Sequence, residues 1–525
     1  MRAFDYVIVG AGSAGCVLAS RLSQDPGVTV ALIEAGGSDR TLNVRIPAAF
    51  PKLLRSSRDW DYTSDPEPGL MGRRLYIPRG KMLGGSSSMN AQLFVRGNAA
   101  DYDGWAKAGA DGWSYDEVLP YFKRLEDFGR GGEELRGTGG PLHVNDLRSV
   151  NPLVHRLVAA SQEAGLPFNP DYNGPQQEGV GYFQVTQRNG SRWSAADAWL
   201  RPALRRKNLT LLQERQVLGV TTERGRATGV WATAGNGREH VRANREVILS
   251  AGAIGSPQLL MLSGIGPADH LTGLGIEVVV DNPNVGDHLQ DHPFLLMNWE
   301  TSAKGTLAEA ESPRQLLDYL VRGRGMLTST VAEATAFLRS SLQLPAPDLQ
   351  FHYGAAYFHN HGFDTHPKPA FAIAPTLIAP QSEGRLTLCS ADPTHKPRIV
   401  GNHLTQQADV EAMVIGVERA REIVAQASLA GAAGRELHPG PAASTREGII
   451  AALRRETELI YHPTSTARIG PPAEGVVDPE LRVHGVTGLR VVDASVFPRV
   501  TRGNTNAPTY MVAEKASDLI RSSRS

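Results

Sequence analysis

Near its start the chain reads Tyr6-Val7-Ile8-Val9-Gly10-Ala11-Gly12-Ser13-Ala14-Gly15, an apolar β-rich run that ends in a glycine-rich turn. A helical apolar stretch follows to Leu22, and a second strand is predicted over Val28 to Ile33, ending at Glu34. Short continuous apolar runs of this kind are typical of strands buried on both faces of a parallel sheet. The pattern therefore predicts a βαβ unit.

The glycine spacing in this unit is that of a dinucleotide-binding turn. Gly10 permits the tight turn, Gly12 lets the backbone approach a pyrophosphate, and Gly15 allows the helix to pack closely on the sheet. The first amides of the helix then face the phosphates. Glu34 stands where a carboxylate accepts hydrogen bonds from ribose hydroxyls. We predict a bound dinucleotide, and the turn alone leaves FAD and NAD both open.

Composition restricts the class of protein. The chain has 525 residues, 41% of them hydrophobic, which predicts at least two domains. Lysine plus arginine and aspartate plus glutamate balance at 54 each, so no net charge attracts nucleic acid or an anionic membrane, and we expect a small-molecule partner. The two cysteines, Cys16 and Cys389, have no metal-ligand or redox spacing, so we expect neither a disulfide scaffold nor a metal site.

The apolar run at the start of the chain is too short for a secretory or membrane-spanning segment. Tyr6 to Val9 is followed directly by glycine, whereas a spanning helix needs about 20 apolar residues. We therefore expect a cytoplasmic protein without a transmembrane segment. A homodimer is compatible with the sequence.

The rest of the chain suggests a discontinuous cofactor domain. Residues from about 300 to about 450 alternate short apolar runs with proline and glycine, which predicts an antiparallel sheet with helices on one face, and Ala412 to Ala425 has helical periodicity. Leu489 to Asp493 resembles another buried strand, and Pro508 to Ile520 an amphipathic helix. The predicted boundaries are 1–155, 210–295 and 455–525 for the cofactor domain, and 156–209 and 296–454 for a substrate domain.

Further segments resemble the glucose-methanol-choline (GMC) oxidoreductases, in the order of that family. They are Gly80 to Asn90 (the first signature), Gly252 to Gly266 (the second signature), Asn284 to Pro293 (the crossover motif), and the C-terminal pair Tyr461 to Thr466 and Thr501 to Pro508. The resemblance covers nearly the whole chain and is greatest to the choline dehydrogenase-like branch. It implies an α/β fold with a Rossmann-type FAD-binding domain, similar to p-hydroxybenzoate hydroxylase, and an α+β substrate domain on an antiparallel sheet.

The resemblance also decides the cofactor. Some relatives attach FAD through a histidine at the position of Met89, and methionine cannot form that bond, so we expect noncovalent FAD. Glycines of the first signature allow close approach to the flavin, and Ser86 to Ser88 are expected to supply small donors. The expected FAD contacts are Gly10, Gly12, Ser13, Ala14, Gly15, Glu34, Ala35, Met82, Gly85, Asn90, Ala91, Leu93, Val217, Ala251, Tyr461, Asp493, Ala494, Thr505 and Asn506.

The C-terminal motifs contain the expected catalytic pair. His462 matches the family's base, and histidine is the side chain that titrates near neutral pH. Asn504 stands where relatives place histidine or asparagine, and its amide donates to the substrate oxygen at any pH. We interpret Asn506 as a helix cap that faces the flavin, on a helix whose positive end stabilises the reduced ring.

No other histidine is expected to act as the catalytic base. His288 and His292 lie in the crossover motif and are expected to be structural, while the roles of His352 and His359 are open. Ser465 departs from the family, which has glycine there, and a serine requires an unstrained backbone.

The substrate is expected to be a primary alcohol, oxidised to the aldehyde. Trp60 and Tyr461 are candidates for an aromatic wall, although core packing explains them equally well, and Glu333 is a candidate partner for a cationic substrate such as choline. We favour a dehydrogenase, and the sequence leaves its electron acceptor open between a quinone-type acceptor and dioxygen. The alternatives are an oxidase that reduces dioxygen to hydrogen peroxide, a hydroxynitrile lyase with non-redox FAD, a noncatalytic flavin protein and a nicotinamide dehydrogenase.

Overall fold

The fold is given by a computed structural model that describes residues 2–132 and 134–523. The strands of its two large sheets are β1 (Arg2–Val9), β2 (Val30–Ile33), β3 (Gly179–Tyr182), β4 (Leu209–Leu212), β5 (Val217–Glu223), β6 (Arg226–Ala234), β7 (Gly237–Leu249), β8 (Pro293–Phe294), β9 (Met297–Thr301), β10 (Ala334–Leu338), β11 (Leu349–Gly354), β12 (Ala370–Leu377), β13 (Ala433–His438), β14 (Glu458–Leu459) and β15 (Leu489–Val491). The longer helices are α1 (Ser13–Leu22), α2 (Ala99–Lys107), α3 (Tyr115–Leu125), α4 (Pro152–Glu163), α5 (Gly252–Leu262), α6 (Pro313–Arg322), α7 (Gln407–Val424), α8 (Arg446–Glu456) and α9 (Asn506–Ser522).

The first sheet has the order β4-β2-β1-β7-β6-β5, with β15 also paired to β7. Strands β4, β2, β1, β7 and β15 are parallel, and β5 and β6 form an antiparallel hairpin against β7. The apolar residues of Tyr6 to Val9 are buried, as the sequence predicts. Because parallel strands end at the same edge, Gly10, Glu34, Ser250 and the turn after β15 lie together there.

The second sheet is antiparallel, with the order β13-β9-β12-β11-β10-β3. Strand β8 pairs with both β12 and β14, so the segment before β8 runs beside the segment after β14. Two backbone hydrogen bonds between Gln290 and Thr464 continue this pairing, at 2.9 and 3.3 Å. This contact brings the crossover motif next to His462.

The predicted fold class is confirmed: a parallel-sheet α/β unit is joined to an antiparallel sheet that packs against helices. Some element boundaries differ. Strand β2 begins at Val30 and not at Val28, because the amide of Val28 donates to the carbonyl oxygen of Asp25 and so closes a turn. Two helices begin earlier than predicted, α7 at Gln407 and α9 at Asn506. The predicted domain boundaries assign β8 and β14 to the cofactor domain, yet both strands pair within the second sheet.

The part of the chain that the structure describes contains neither a membrane-spanning helix nor a cluster of metal-binding side chains. No helix in residues 2–132 and 134–523 is long and apolar enough to cross a membrane. In the same residues, no cluster of three or more histidine, cysteine or acidic side chains is arranged to hold a metal ion.

Candidate active site

A single continuous cavity extends from the carboxyl edge of the first sheet to the second sheet. At one end it is lined by the glycine turn after β1 and at the other by side chains from β11, β12 and the segment after β14. His462 and Asn504 both line it at this second end. The cavity therefore joins the nucleotide turn to the predicted catalytic pair.

The glycine turn has the geometry that its sequence predicts. Gly10 has φ +98°, and a side chain there would lie 2.5 Å from the carbonyl oxygen of Ser250. A Cβ on Gly15 would lie 1.8 Å from the carbonyl oxygen of Gly10, so helix and turn touch backbone to backbone. A Cβ on Gly12 would meet no atom of the described chain within 4 Å, because this residue borders the cavity.

Glu34 fixes this turn as well as lining the cavity. One carboxylate oxygen accepts a hydrogen bond from the amide of Ala11 and the other from the amide of Gly36, both at 2.8 Å. Burial raises the pKa of this carboxyl to about 7. The side chain thus holds the end of β2 against the glycine turn.

The first signature forms a loop that packs on the glycine turn. A Cβ on Gly85 would lie 2.7 Å from the Cα of Gly12. The expectation that its serines serve as ligand donors is corrected for two of them: the hydroxyl of Ser87 donates to Gly84 O at 2.6 Å, and that of Ser88 to Leu83 O at 2.7 Å. These serines brace the loop itself.

A buried carboxylate joins two further loops at the nucleotide end. Asp493 accepts hydrogen bonds from the amide of Gly252 and the hydroxyl of Ser256, and from the amide and hydroxyl of Ser495. Burial raises the pKa of Asp493, and the side chain lines the cavity.

The interpretation of Asn506 as a helix cap is corrected. Thr505 is the N-cap of α9, and Asn506 is the first helical residue, whose side-chain amide donates to the hydroxyl of Ser13 at 2.8 Å. Asn506 therefore ties the start of α9 to the start of α1. In the described chain no side chain caps either helix start, so free amides of both helices border the cavity.

At the other end of the cavity His462 and Asn504 contact each other. Asn504 Nδ2 lies 3.2 Å from His462 Nε2, and both residues are 8% exposed. An amide nitrogen only donates, so His462 Nε2 accepts and the ring proton resides on Nδ1. His462 Nδ1 lies 3.0 Å from His292 Nδ1, to which its N–H donates a hydrogen bond. The unprotonated nitrogen of His462 thus faces Asn504.

Asp291 holds the backbone on both sides of this contact. One of its carboxylate oxygens accepts hydrogen bonds from the amides of His462 and His292, each at 2.7 Å. Burial raises the pKa of Asp291 to about 7. His292, expected to be structural, is bonded directly to the predicted base and so fixes its ring.

Burial, with a smaller contribution from neighbouring side chains, keeps His462 neutral. Its pKa lies well below the ordinary value of 6.5, because the ring is buried and because His292, His352 and Arg79 disfavour a further positive charge. An imidazole in this state is unprotonated at neutral pH and is ready to accept a proton.

Two polar residues of β11 complete the site and were given no role, or an open one, from the sequence. Gln350 donates from Nε2 to Asn504 Oδ1 at 3.5 Å, which directs the Asn504 amide nitrogen toward His462. His352 lines the cavity, and its Nδ1 lies 3.3 Å from the hydroxyl of Thr376. Both point to one face of β11, opposite Phe351 and Tyr353, and this alternation of polar and aromatic residues was the signal available in the sequence.

The backbone beside the base is strained. Ser465 has φ +75° and Tyr461 has φ +68°, both in the left-handed region that favours glycine. The expectation that Ser465 needs an unstrained backbone is therefore wrong. Its hydroxyl donates to Thr464 Oγ1 at 3.1 Å and does not contact the base.

The candidate substrate residues differ in their positions. Trp60 and Tyr461 line the cavity, although the Tyr461 hydroxyl turns to His361 Nδ1 at 2.5 Å. The expectation that Glu333 contacts a cationic substrate is wrong. This residue is 2% exposed, lies outside the cavity and accepts a hydrogen bond from the amide of Asn151 at 2.6 Å. A buried acid that binds the start of α4 cannot reach a substrate.

Of the expected FAD contacts, all but two line the cavity. Gly15 acts through helix packing, and the side chain of Met82 is buried in a hydrophobic cluster with Val44, Leu53, Leu54, Tyr76 and Met89. The contacts that line the cavity are Gly10, Gly12, Ser13, Ala14, Glu34, Ala35, Gly85, Asn90, Ala91, Leu93, Val217, Ala251, Tyr461, Asp493, Ala494, Thr505 and Asn506. His288, paired with Glu383, and His359, paired with Asp364, do not line it.

These residues fit a flavin dinucleotide. Gly12 has no side chain to keep a phosphate away from the backbone, and the uncapped starts of α1 and α9 offer amide donors to anionic phosphates. The Glu34 carboxylate can accept hydrogen bonds from ribose hydroxyls. Met89 lines the cavity and offers no atom for a covalent bond to the flavin. The pair His462 and Asn504 lies in the part of the cavity beyond the signature loop.

The comparisons with relatives agree with this geometry. The chain is 42% identical to an alcohol dehydrogenase [acceptor] of Pseudomonas putida and 44% identical to an oxygen-dependent choline dehydrogenase of Sinorhizobium fredii, over 98% of this chain and 95% of each relative. Among solved structures, pyridoxine 4-oxidase from Mesorbium loti has a TM-score of 0.91 at 32% identity, with 99% of both chains covered. Formate oxidase has a TM-score of 0.92 at 28% identity, covering 99% of this chain and 98% of that one.

Family models settle the membership. Two models, each described as GMC oxidoreductase, match residues 4–294 and 380–513. The first contains the glycine turn and both signatures, and the second contains His462 and Asn504. The chain belongs to the GMC oxidoreductase family.

Proposed function

We propose that this protein is an FAD-dependent dehydrogenase that oxidises an uncharged, apolar primary alcohol to the aldehyde. The observation that carries the proposal is the buried contact between His462 Nε2 and Asn504 Nδ2, 3.2 Å apart, in the cavity that begins at the nucleotide turn. FAD is held noncovalently by the glycine turn, Glu34 and the starts of α1 and α9. When bound, FAD supplies the acceptor for the hydride that leaves the substrate carbon.

The protein's own residues supply the proton chemistry. An alcohol oxygen that enters between His462 and Asn504 gives its proton to His462 Nε2, which is neutral because burial lowers its pKa. The Asn504 amide donates a hydrogen bond to the same oxygen and stabilises its developing negative charge. Gln350 keeps that amide in position, and the bond to His292 keeps the ring of His462 in the tautomer that accepts the proton.

The lining of the cavity supports an uncharged substrate. Near the catalytic pair it is lined by apolar side chains, namely Phe50, Leu54, Phe294, Leu296, Val331, Phe358, Ala372, Ala374 and Ile460. Among the described residues that line the cavity, the only carboxylates are Glu34 and Asp493, and both lie at the nucleotide end. A quaternary ammonium would meet no carboxylate in the lining at this end of the cavity, so choline is disfavoured.

The proposal is tested by mixing FAD-loaded enzyme with alcohols under argon and following the flavin absorbance. Octanol and benzyl alcohol are expected to bleach the flavin rapidly, and glycerol and choline slowly. Choline as the fastest substrate would contradict the substrate class. If no alcohol reduces the flavin while a cyanohydrin is cleaved, the protein is a lyase.

The electron acceptor is proposed to be of the quinone type. An oxidase is the second candidate, since relatives include an oxygen-dependent choline dehydrogenase and a pyridoxine 4-oxidase. Reoxidation of the reduced enzyme by a soluble quinone is expected to be much faster than by air-saturated buffer. Faster reoxidation by dioxygen, with stoichiometric hydrogen peroxide, would instead establish the oxidase.

A further inference from the structure

Helix α6 turns its apolar side away from the protein. Leu316, Leu317, Leu320 and Val321 are 41%, 63%, 61% and 73% exposed. At about 100° per residue, these four side chains cover an arc of about 140° on the helix surface. A helix with such a stripe normally packs it against the core. Here the stripe faces outward, and it needs a partner.

The opposite side of α6 is firmly attached. Tyr319 is the one buried residue of the helix; its ring packs against Ile46 and Ala49, and its hydroxyl bonds Ser191 Oγ at 2.8 Å and Arg45 O at 3.2 Å. The orientation of the helix is therefore set by a specific contact, which leaves the apolar stripe outside.

Basic side chains gather at the end of this stripe. Arg322 and Arg324 flank Gly323 and are exposed, and the exposed Arg148 approaches Gly323, with its Nη1 atom 3.6 Å from the Cβ position of that glycine. The exposed Arg188 adjoins Asn189, whose carbonyl also touches Gly323.

Acidic groups near α6 are largely paired. Asp318 bonds Arg322 at 3.2 Å, and Glu311 bonds Lys52 at 2.7 Å. The balance of charges over the whole chain thus conceals a local excess of cations at this helix end.

We propose that α6 docks on an anionic lipid surface, with its apolar stripe in the headgroup region and the arginines of its C-terminal end on acidic headgroups. An apolar stripe beside basic side chains is the pattern of helices that lie in a membrane interface, and each basic residue strengthens attraction to acidic lipids. The stripe holds only aliphatic side chains, which lipid accepts without specific geometry, whereas protein interfaces rely on aromatic anchors.

A second copy of the chain fits this surface less well. Four partly exposed side chains present a few hundred Å², against about 800 Å² per partner in a standard stable interface. Binding to a lipid surface requires no such minimum area, because the arginines add electrostatic attraction to the acidic headgroups.

Docking through α6 would also orient the cavity. The helix rests, through Tyr319, on the short helix Pro47–Leu53, whose Phe50 lines the cavity. On the proposed function, an apolar alcohol or a quinone dissolved in the bilayer would then be close to the cavity mouth. This consequence depends on the proposed function, but the docking itself does not.

The test is co-sedimentation of the FAD-loaded enzyme with vesicles of phosphatidylcholine containing phosphatidylglycerol, and with vesicles of phosphatidylcholine alone. The enzyme is expected to bind the anionic vesicles more tightly. The triple variant Leu317→Ser, Leu320→Ser, Val321→Ser should bind them more than about tenfold less, and the pair Arg148→Ser, Arg324→Ser about thirtyfold less.

The matched control is Leu342→Ser, which removes an 82% exposed leucine beyond the far end of β10 and should leave vesicle binding unchanged. All variants should retain FAD and the rate of flavin reduction by a soluble alcohol, because none touches the cavity. Equal binding by the triple variant and the unmodified enzyme would overturn the proposal. So would a dimer that the triple variant abolishes while vesicles bind neither protein, which would assign α6 to a subunit interface.

Discussion

Replacing Asn504 with alanine removes the hydrogen-bond donor to the substrate oxygen and leaves the base in place. The Asn504 amide is 8% exposed and lies 3.2 Å from His462 Nε2, so water does not readily replace it. Loss of one such preorganised donor costs about 3 kcal/mol of transition-state stabilisation, or roughly a hundredfold in rate. Gln350 keeps its contact with Thr335 Oγ1 at 3.3 Å, so the fold should survive.

The assay is the rate constant of flavin reduction by a saturating alcohol in anaerobic stopped flow, with FAD content measured by absorbance. Asn504→Ala should reduce the flavin about a hundredfold more slowly at unchanged FAD content. Asn504→His, which restores a donor, should recover most of the loss. Reduction by Asn504→Ala at the rate of the unmodified enzyme would refute the assignment of the donor.

Four further outcomes are expected. Flavin reduction should stay constant as pH falls to 6.5 and decline only below it, because the neutral base is required and the pKa of His462 lies well below 6.5; a midpoint at or above this value would contradict the neutral-base account. Gln350→Leu should lower the reduction rate about fivefold, by a loss of about 1 kcal/mol in the positioning of Asn504, with no change in rate arguing against that role. Glu333→Gln should leave the KM for choline unaltered, since the carboxylate lies outside the cavity, and a raised KM would restore it to the substrate site. Gly12→Val should yield folded protein without FAD, because its side chain would enter the cavity, and full FAD content would count against the nucleotide assignment.

The nucleotide end of the site was accessible from sequence because its chemistry is local. A turn such as Gly10 to Gly15 needs particular glycines whatever surrounds it, and the strand before it has a recognisable apolar pattern. The resemblance to a known family then supplied His462 and Asn504, which no local pattern singles out.

Contacts between distant segments could not be predicted in the same way. Gln350 meets Asn504 only because β11 lies in the middle of the second sheet, and His292 meets His462 only because β8 pairs with β14. The position of Glu333 depends likewise on the start of α4. The direction in which a side chain points depends on packing between segments, so the sequence pattern of one segment does not predict it.

Total charge was a poor guide to local charge for the same reason. Arg148 and Arg324 are 176 residues apart in sequence, and only the fold brings Arg148 to Gly323, the chain neighbour of Arg324. The expectation that no field attracts an anionic membrane followed from sums over the chain, and sums do not record clustering.

The most direct test of the substrate site between His462 and Asn504 is a crystal structure of the FAD-loaded enzyme with a bound tertiary alcohol, whose carbinol carbon has no hydrogen to transfer, so that the alcohol remains intact. The alcohol oxygen is expected to lie within about 3.5 Å of both His462 Nε2 and Asn504 Nδ2, with the carbinol carbon turned toward the flavin. An alcohol oxygen that contacts neither side chain, in a cavity where the two remain bonded to each other, would contradict it.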